Sequence, residues 1–290
     1  MRSVTCINKN GISCTFGEGG FSPFLLADAD GLYSKIMNVN TSSTTGVDGS
    51  VYHSSSLKQR NIVLSLKDIG NYAENRDFLN MLFDEKTFGE LLFRDEDEER
   101  KIDYIVEKVT SDGSKSYRTH QVSLICPDPY FYDLYDHSFM MAAFVPAFSF
   151  AHAFMASKEE FGYRQKEKIK VINNELSVDG TGMTIKITCN GSVKNPSITR
   201  VEDHEHISIG TTAKPLSLVA GDVVTVTTDS GNKKITLTHD GVTSSINQYL
   251  SEDSSFLQLR RGSNSLGYSA DEGVDSMVLT ISYRNRYTSA

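Results

Sequence analysis

The clearest pattern in the first half of the chain is a strict alternation of side chains at residues 58–68. Ile62, Leu64 and Leu66 occupy every second position, with mainly polar residues between them. A period of two predicts a strand with one buried face. Further strands are predicted at residues 88–94, 102–110 and 117–126. The last two flank a Ser-Asp-Gly-Ser sequence at 111–114, which is a hairpin signal.

One segment has a helical period instead. Asn71 offers a capping side chain, and Glu74 follows three residues later, which is the spacing of a capping box. The apolar residues that follow fall on one stripe of a helix, namely Phe78, Leu79, Leu82 and Phe83. The pattern predicts a helix at about 72–83. With the surrounding strands, it predicts a first unit that is a sheet or small barrel with one α-helix.

Residues 1–56 lack a comparable pattern. They are rich in Gly, Ser, Thr and Asn, with short apolar islands. This composition indicates short strands and loops. We expect the Ser/Thr/Gly run at 41–56 to be mobile.

From Val171 the pattern changes to short strands rich in Thr, Val and Ile. They recur about every eight to twelve residues and are separated by turn dipeptides such as Asn190-Gly191 and Asp240-Gly241. No helical period appears in this half. The pattern is typical of an antiparallel β-sandwich or jelly roll. The predicted strands are 183–189, 207–210, 222–228, 233–239 and 277–283.

The two halves meet at a proline-rich corner, Pro127-Asp128-Pro129, which the aromatic residues 130–132 follow. Each proline removes a backbone donor and holds the preceding residue extended, so neither a strand nor a helix continues through the corner. The length of 290 residues suits two domains. We predict a first domain at residues 1–136 and a second at 137–290, and the fold is expected to be mainly β.

The most apolar window of the chain follows the corner, at residues 139–156. Pro146 interrupts it, His152 lies within it, and it is barely long enough to span a bilayer. We therefore expect a buried linker or an interface segment rather than a membrane span.

The net charge and the cysteine content exclude some classes of function. The net charge of −8 and the pI near 5.4 argue against nucleic-acid binding, which needs a basic face. The four cysteines show neither a Cys-x-x-Cys pair nor a zinc spacing, so reduced thiols in a cytosolic folding environment are expected. The N-terminus lacks the apolar core of a signal peptide.

Several short motifs suggest ligand sites, but each is incomplete. His204 and His206 flank Glu205 and would share one strand face, yet no third metal ligand lies nearby, so an exposed strand or turn is expected. Asp28, Asp30 and Gly31 begin like a calcium loop without its later ligands, so a turn is expected. The glycine-rich residues 17–20 lack the Gly-Lys-Ser/Thr of a phosphate loop.

No catalytic pattern is present either. The sequence has no Gly-x-Ser-x-Gly elbow and no evident nucleophile with its base. The acidic run 95–99 and the pair Asp271-Glu272 could serve a glycosidase only across a cleft, and both are expected to be solvated turns. We therefore predict no catalytic, cofactor-binding or metal-ligating residue, no cofactor, and a binding or structural protein rather than an enzyme.

The order of these features resembles the distal tail protein (Dit) family of siphophages, the siphovirus-type phage tail components. The resemblance is most specific at residues 126–133, where this family ends its first domain with a Pro-Asp-Pro-aromatic sequence. The other matching segments are 60–66, the helix at 72–83, 89–93, 161–164, 195–199, 220–226, 257–264 and 283–287. The polar first fifty residues and the apolar window 139–156 depart from the family pattern.

The resemblance implies a structural protein of the virion, at the phage tail tip or baseplate, synthesised in the cytoplasm of the host bacterium. Family members form a homo-hexameric ring between the tail tube protein and the tail-associated hub or lysin protein. The first domain forms the ring, or belt. The second is a galectin-like sandwich that docks receptor-binding or fibre proteins in host attachment.

The galectin-like fold leaves an alternative function open, which is a carbohydrate-binding module that contacts the host cell surface. Sugar sites usually stack a pyranose on an exposed aromatic side chain, most often Trp. The chain contains no Trp. The residues considered as a substitute for that site are Arg260, Arg261, Asn264 and Tyr268.

Overall fold

The structure is a computed structural model. It describes residues 2–17, 23–46, 48–84, 88–96, 98–113, 118–141, 144–146, 162–164, 169–174, 177–178 and 180–290. The chain forms two compact units, one of Met1–Leu134 with Arg286–Ala290 and one of Tyr135–Asn285. The expected division, 1–136 and 137–290, differs from these units chiefly in the last five residues, which lie in the first unit.

The first unit is built mainly from strands, and the predicted helix is confirmed within it. The elements before the second unit are β1 (Ser3–Asn8), β2 (Ser13–Gly17), β3 (Phe24–Asp30), β4 (Met37–Ser42), β5 (Val51–Leu57), β6 (Arg60–Asp68), α1 (Tyr72–Leu82), β7 (Phe88–Asp95), β8 (Glu98–Asp112), β9 (Thr119–Cys126) and β10 (Phe131–Asp133). The predicted strands at 58–68, 88–94, 102–110 and 117–126 correspond to β6, β7, β8 and β9.

Seven of these strands close into a barrel. They follow the order β8-β7-β1-β2-β3-β6-β9, and pairing between β8 and β9 completes the circle. All the pairs are antiparallel except β2 and β3, which meet at Gly17 and Leu25 in parallel. The alternation along each strand directs one set of side chains into the barrel. The buried interior includes Val4, Phe16, Phe24, Leu64, Leu91, Phe93, Tyr104 and Leu124.

Helix α1 begins at a cap that the sequence predicts correctly. The Asn71 side chain accepts a hydrogen bond from the Ala73 amide and donates one to Glu74, at 2.8 Å. Leu79 and Leu82 are fully buried against the barrel core. The helix therefore contributes its apolar stripe to the core of the first unit.

Strands β4 and β5 form a separate two-stranded ribbon outside the barrel. They pair in antiparallel register from Met37 opposite Leu57 to Ser42 opposite Val51. The short strands expected in residues 1–56 thus include this ribbon. The run 41–56 contributes its first two and its last six residues to the two strands, and the described residues between Ser42 and Val51 belong to neither strand.

The second unit contains many short strands, as the spacing of turn signals predicts. They are β11 (His137–Met141), β12 (Phe144–Pro146), β13 (Gly162–Arg164), β14 (Ile169–Asn174), β15 (Met183–Cys189), β16 (Val193–Arg200), β17 (His206–Ser208), β18 (Ser217–Leu218), β19 (Val223–Thr227), β20 (Lys234–His239), β21 (Val242–Ser245), β22 (Gly262–Glu272) and β23 (Met277–Tyr283). Two short 3-10 helices lie at Asn247–Tyr249 and Val274–Ser276.

These strands form an antiparallel β-sandwich. One sheet has the order β11-β23-β15-β19-β20-β21, and the other has the order β14-β22-β16-β17, with β18 paired to β16. One hydrophobic cluster contains side chains of both sheets, including Ile185, Val224 and Leu279 from the first and Ile198, Ile207 and Leu266 from the second. The two sheets thus share one core. Most of the apolar window 139–156 lies outside the described residues.

The chain returns to the first unit at its end. Strand β24 (Arg286–Tyr287) pairs with β10, which in turn pairs with β8 of the barrel. The predicted corner lies just before β10, where the Asp128 carboxylate accepts hydrogen bonds from the Tyr130 amide and the Tyr132 hydroxyl. Phe131 is fully buried. The aromatic residues after the corner therefore cover the barrel, as their size predicts.

Candidate functional site

The His-Glu-His motif does not assemble a metal site. His204 has a φ of 59° and lies in a turn before β17, whereas His206 begins that strand. His206 Nε2 lies 3.3 Å from an Asp253 carboxylate oxygen, and Glu205 accepts a hydrogen bond from Arg200 instead. Among the described residues, no group of three or more His, Cys, Asp or Glu side chains could hold a metal ion.

The candidate calcium loop is the end of a strand. Asp28 and Asp30 lie in β3, and each carboxylate accepts a hydrogen bond from the next backbone amide. Gly31 follows with a φ of 88°, and a Cβ there would collide with the Asn61 carbonyl. Glycine is therefore required by close backbone packing rather than by a ligand. Of the glycine-rich motif 17–20, residues 18–20 lie outside the described residues.

Of the acidic run 95–99, Asp95 ends β7 and Glu98 and Glu99 begin β8, so the expected solvated turn is correct only for Glu96, and residue 97 lies outside the described residues. Asp95 and Glu98 are paired at the ends of β7 and β8, and Glu96 has the left-handed φ of 50°. Arg94 forms an ion pair with Glu99, and Arg100 Nη2 lies 3.2 Å from Glu98. The carboxylates of Glu98 and Glu99 are thus balanced by arginines of the same hairpin.

The second acidic pair was predicted wrongly as a turn. Asp271 and Glu272 are the last residues of β22. Asp271 accepts a hydrogen bond of 2.7 Å from Asn195, and Glu272 accepts one of 3.0 Å from Lys194 on the neighbouring strand β16. Both carboxylates therefore join two strands of the sandwich.

The four residues considered for a sugar site do not form one surface. Asn264 and Tyr268 are buried. The Asn264 side chain accepts a hydrogen bond from the Arg260 backbone amide and donates one to the Arg260 carbonyl. Arg260 is exposed and forms an ion pair of 2.6 Å with Asp203. Asn264 and Tyr268 therefore have structural roles, and only the arginines remain accessible.

Three hydrogen-bonded side chains, Ser111, His120 and Asp68, lie in the barrel, and no sequence motif indicated them. His120 Nδ1 is 2.8 Å from the Ser111 hydroxyl, and His120 Nε2 is 3.1 Å from the Asp68 carboxylate. The His120 side chain is fully buried, stacked on Tyr72 and in edge contact with Phe24. A nucleophile would need access to substrate. The arrangement instead ties the β8–β9 hairpin to the end of β6.

Asp68 is the centre of that network. Its carboxylate accepts hydrogen bonds from the Gly70 amide at 2.8 Å and from Asn75 at 2.7 Å, besides the His120 contact. Burial acts to raise the pKa of Asp68, but these hydrogen bonds outweigh it and the net pKa is lowered. The network therefore joins β6, α1 and β9 around one ionised carboxylate.

Three of the four cysteines are unsuited to act as nucleophiles. Cys6, Cys126 and Cys189 are buried in the two cores. Burial raises the pKa of Cys126 to about 12 and that of Cys189 to about 11, and it raises the pKa of Cys6 as well. Because the thiolate is the reactive form, these three side chains are inert at neutral pH.

Several exposed apolar side chains of the first unit lie on the β4–β5 ribbon, which we call the arm (residues 36–57). Its exposed apolar side chains are Ile36, Met37, Val39, Val51 and Tyr52. In the whole segment, Asp48 is the only Asp, Glu, Lys or Arg. Exposed apolar groups on a nearly uncharged ribbon are a feature of protein interaction surfaces.

The fold and these sites fit a scaffold protein, and two protein-family models agree. The phage tail protein RIFT-related domain matches residues 17–126, within the barrel unit. The siphovirus-type tail component, C-terminal domain, matches residues 179–287, almost all in the sandwich. The chain is thus a structural component of a phage tail or baseplate.

More specifically, the chain belongs to the distal tail protein (Dit) family of siphophages, which places it in the virion. No curated protein matches the sequence. No helix in the described part of the chain is long and apolar enough to cross a membrane.

Solved structures show the same fold at low sequence identity. The crystal structure of SPP1 Dit (gp 19.1), called a paradigm of the hub adsorption apparatus in phages infecting Gram-positive bacteria, has a TM-score of 0.67 and 16% identity, with 98% of this chain and 99% of that chain covered. A chain of the phage P2 baseplate in its activated conformation with Ca has a TM-score of 0.54 and 11% identity over the whole of both chains. The corresponding baseplate with Sr gives 0.53 and 11%, again over both whole chains.

Proposed function

We propose that six copies of the chain form a ring at the distal end of the tail tube, with the barrel units as the belt. The ring joins the tail tube protein to the tail-associated hub or lysin protein. The second unit, a galectin-like sandwich, docks receptor-binding or fibre proteins for host attachment. The role is structural and not enzymatic, and the protein is synthesised in the cytoplasm of the host bacterium.

The exposed arm is the observation that carries this proposal. Val39 is 53% exposed and Tyr52 is 60% exposed, although both are large apolar side chains. A two-stranded ribbon alone is marginally stable in water and gains stability when a partner covers one face. A neighbouring copy of the chain would supply that partner.

The contact between the arm and a neighbouring copy also supports a ring, because the two surfaces in contact are different. An arm that packs on a different surface of the next copy forms a heterologous interface, and a rotation that closes on itself gives a ring. The apolar arm and the charged hairpins of the barrel are different surfaces of this kind. The arm therefore supports a cyclic assembly better than a two-fold dimer.

The sandwich offers a docking edge for peripheral proteins. Strand β21 lies at one end of its sheet, and all four of its residues are exposed. Val242 is 71% exposed. An exposed edge strand can accept a strand from another protein through backbone hydrogen bonds.

The experiment is to remove the arm without disturbing the barrel. The Lys58 amide donates a hydrogen bond of 2.9 Å to the Ile36 carbonyl, so the two ends of the arm are already adjacent. Residues 37–57 can therefore be replaced by an Asn-Gly turn. Light scattering on a size-exclusion column would give the mass of each form, with electron microscopy to record the symmetry.

We expect the wild type to have a mass near six times 32.1 kDa and six-fold symmetric images, and the arm-deleted form to have the mass of one chain. Val242→Glu, at an exposed position on the sandwich, is the control and should leave the ring intact. A wild-type assembly of another symmetry, or a six-membered ring that persists without the arm, would contradict the proposal.

A further inference from the structure

Three apolar side chains form a row across the outer wall of the barrel, which we call the outer row. Phe88 of β7 is directly opposite Ile105 of β8, and Ile105 is directly opposite Ile125 of β9. Residues opposite each other in an antiparallel pair have their side chains on the same face of the sheet. The adjacent residues Tyr104 and Leu124 are buried in the barrel core, so the outer row lies on the other face of the wall.

The outer row of a single chain is exposed to solvent. Phe88 is 64% exposed, and Ile105 and Ile125 are each partly exposed. Elsewhere the outer wall is polar, as at Thr5 and Thr15, whose hydroxyls lie 2.8 Å apart at an exposed position. Three adjacent apolar side chains on such a wall indicate a surface that another protein covers.

Carboxylates beside the outer row restrict the kind of partner. Glu90 accepts a hydrogen bond of 3.0 Å from Lys101. Glu107 accepts hydrogen bonds from Ser123, at 2.6 Å, and from Asn61, at 3.2 Å. These carboxylates repel an acidic partner, and a basic partner would have to compete with the bonds that they already make. The outer row therefore suits a partner surface that is neutral and apolar.

The arm has one apolar face, which a β-bulge extends to Tyr52. Met37 and Val39 alternate with polar residues along β4 and so share one face. The register shift in the arm places Tyr52, and not His53, opposite Thr41, two residues after Val39. Tyr52 therefore lies on the same face as Met37 and Val39.

The arm matches the outer row in size and polarity. Strand β4 has six residues and is therefore about 20 Å long, whereas the outer two of three neighbouring strands are about 10 Å apart. The arm is thus long enough to cross the whole row. Its single charged residue is Asp48, so its apolar face brings no cluster of charge to the contact. Two sheets pack face to face when apolar side chains of both interdigitate.

The arm of the same copy does not cover the outer row. Phe88, Val39 and Tyr52 are all exposed in the single chain. Because the arm and the outer row are different surfaces, contact between two copies is heterologous and repeats from each copy to the next. Every copy then supplies one arm and receives one arm.

We propose that the outer row of each copy is covered by the apolar face of the arm of the next copy. Val39 and Tyr52 pack against Phe88 and Ile105, and this contact accounts for the exposure of both surfaces. The inference rests on the ring proposed above and adds the surface that receives the arm.

Two substitutions in the full chain test the receiving surface. Phe88→Glu places a carboxylate in the outer row, and we expect light scattering to show a fall from the mass of the ring to that of one chain. Met81→Glu is the matched control, because Met81 is 51% exposed and lies on α1, outside the row. It should leave the mass of the ring unchanged. Thermal unfolding of both variants verifies the fold.

Crosslinking then locates the contact. One chain carries Val39→Cys and another carries Phe88→Cys, and both carry Cys14→Ser because the other three native thiols are buried. The two chains are co-expressed with different tags, so that mixed assemblies form. A short bis-maleimide should join the Val39→Cys chain to the Phe88→Cys chain, and it should join neither chain to a copy of itself.

Three results would overturn the inference. The ring survives Phe88→Glu, Met81→Glu dissociates the ring as fully as Phe88→Glu does, or the Val39→Cys chains crosslink to one another and not to the Phe88→Cys chains. A ring that is lost on deletion of the arm but survives Phe88→Glu overturns only the receiving surface. A wild type that forms no ring contradicts the proposed function, and the inference with it.

Discussion

Arg60 Nη2 donates a hydrogen bond of 2.6 Å to the carbonyl oxygen of Thr288, a residue 228 positions later in the chain. The same guanidinium donates to the carbonyls of Pro129, at 3.0 Å, and Ser34, at 2.6 Å. It lies 4.8 Å from the centre of the Phe131 ring. One buried arginine thus joins the end of the chain, the proline corner and the barrel.

Replacing Arg60 by Met should strongly destabilise the first unit. The substitution leaves several buried carbonyls without their donor, and each such loss costs about 1–3 kcal/mol. We expect the free energy of unfolding to fall by about 3–5 kcal/mol, measured by urea denaturation. Arg60→Lys should be intermediate, because an ammonium offers three donors at one point instead of a planar fork.

The control for Arg60 is another arginine of the same unit. Arg76 is exposed and pairs with its neighbour Asp77, at 2.8 Å. Arg76→Met should leave the free energy of unfolding nearly unchanged, because exposed ion pairs contribute little to stability. If the two substitutions lowered the free energy of unfolding equally, the hydrogen bonds from Arg60 to the carbonyls would not stabilise the fold more than a surface ion pair does.

The Arg60 network also shows the limit of sequence reasoning for this fold. Alternation predicted β6, β15 and β23 well, because one face of each strand is buried and the period appears in the residues themselves. The contacts of Arg60 join residues far apart in sequence. No local pattern encodes such pairings, and the same holds for the closure of the barrel by β8 and β9.

Among the strands that the pattern does not predict, the two longest of the sandwich, β16 and β22, are missed for local reasons. Strand β22 is rich in Gly and Ser, which have low strand propensity, although Leu266 and Tyr268 alternate into the core. Strand β16 contains Pro196 and is paired on both sides, with β17 and β22. A proline normally argues against a strand that is not at an edge. Asn195, with a φ of 49°, interrupts the regular backbone next to it.

The cluster of charged side chains around Arg200 could be predicted only in part. Arg260 is among the residues that the sequence suggests, but Arg200, Asp203 and Glu205 come from a different segment that shares no motif with it. They meet because β16 and the segment before β22 are neighbours in the sandwich. Burial of a charged side chain such as Arg200 cannot be read from its flanking residues, since strands with similar patterns carry exposed arginines as well.

The second prediction concerns acid sensitivity of the sandwich. Hydrogen bonds from Arg200 lower the pKa of Asp203 from about 3.8 to about 2. Because the folded pKa lies below the unfolded value, this group stabilises the fold above about pH 4. The contribution is lost as the pH falls from about 4 to about 2.

The measurement is the free energy of unfolding between pH 5 and pH 2, for the wild type and Asp203→Asn. Amide signals of the second unit would follow its unfolding separately. We expect the asparagine variant to be the less stable at pH 5 and the gap between the two proteins to narrow as the pH falls. A gap that is constant across this range would contradict the lowered pKa of Asp203.

The third prediction concerns Tyr104 in the barrel core. Its hydroxyl is buried and has no hydrogen-bond partner among the described residues. The ring packs beside Phe83 and directly against Gly89, where any Cβ would collide with it. The packing of the ring is therefore favourable, while the buried hydroxyl carries a desolvation cost.

Tyr104→Phe should raise the free energy of unfolding by about 1 kcal/mol, because it removes the unpaired hydroxyl and keeps the ring. Tyr104→Ala should lower it by about 3–5 kcal/mol through the cavity that it leaves. The matched control is Tyr287→Phe, because the Tyr287 hydroxyl donates a hydrogen bond of 2.8 Å to Asp133. That variant should be less stable than the wild type. If urea denaturation shows both phenylalanine variants destabilised alike, the Tyr104 hydroxyl must have a partner in solution, and its burial is not a cost.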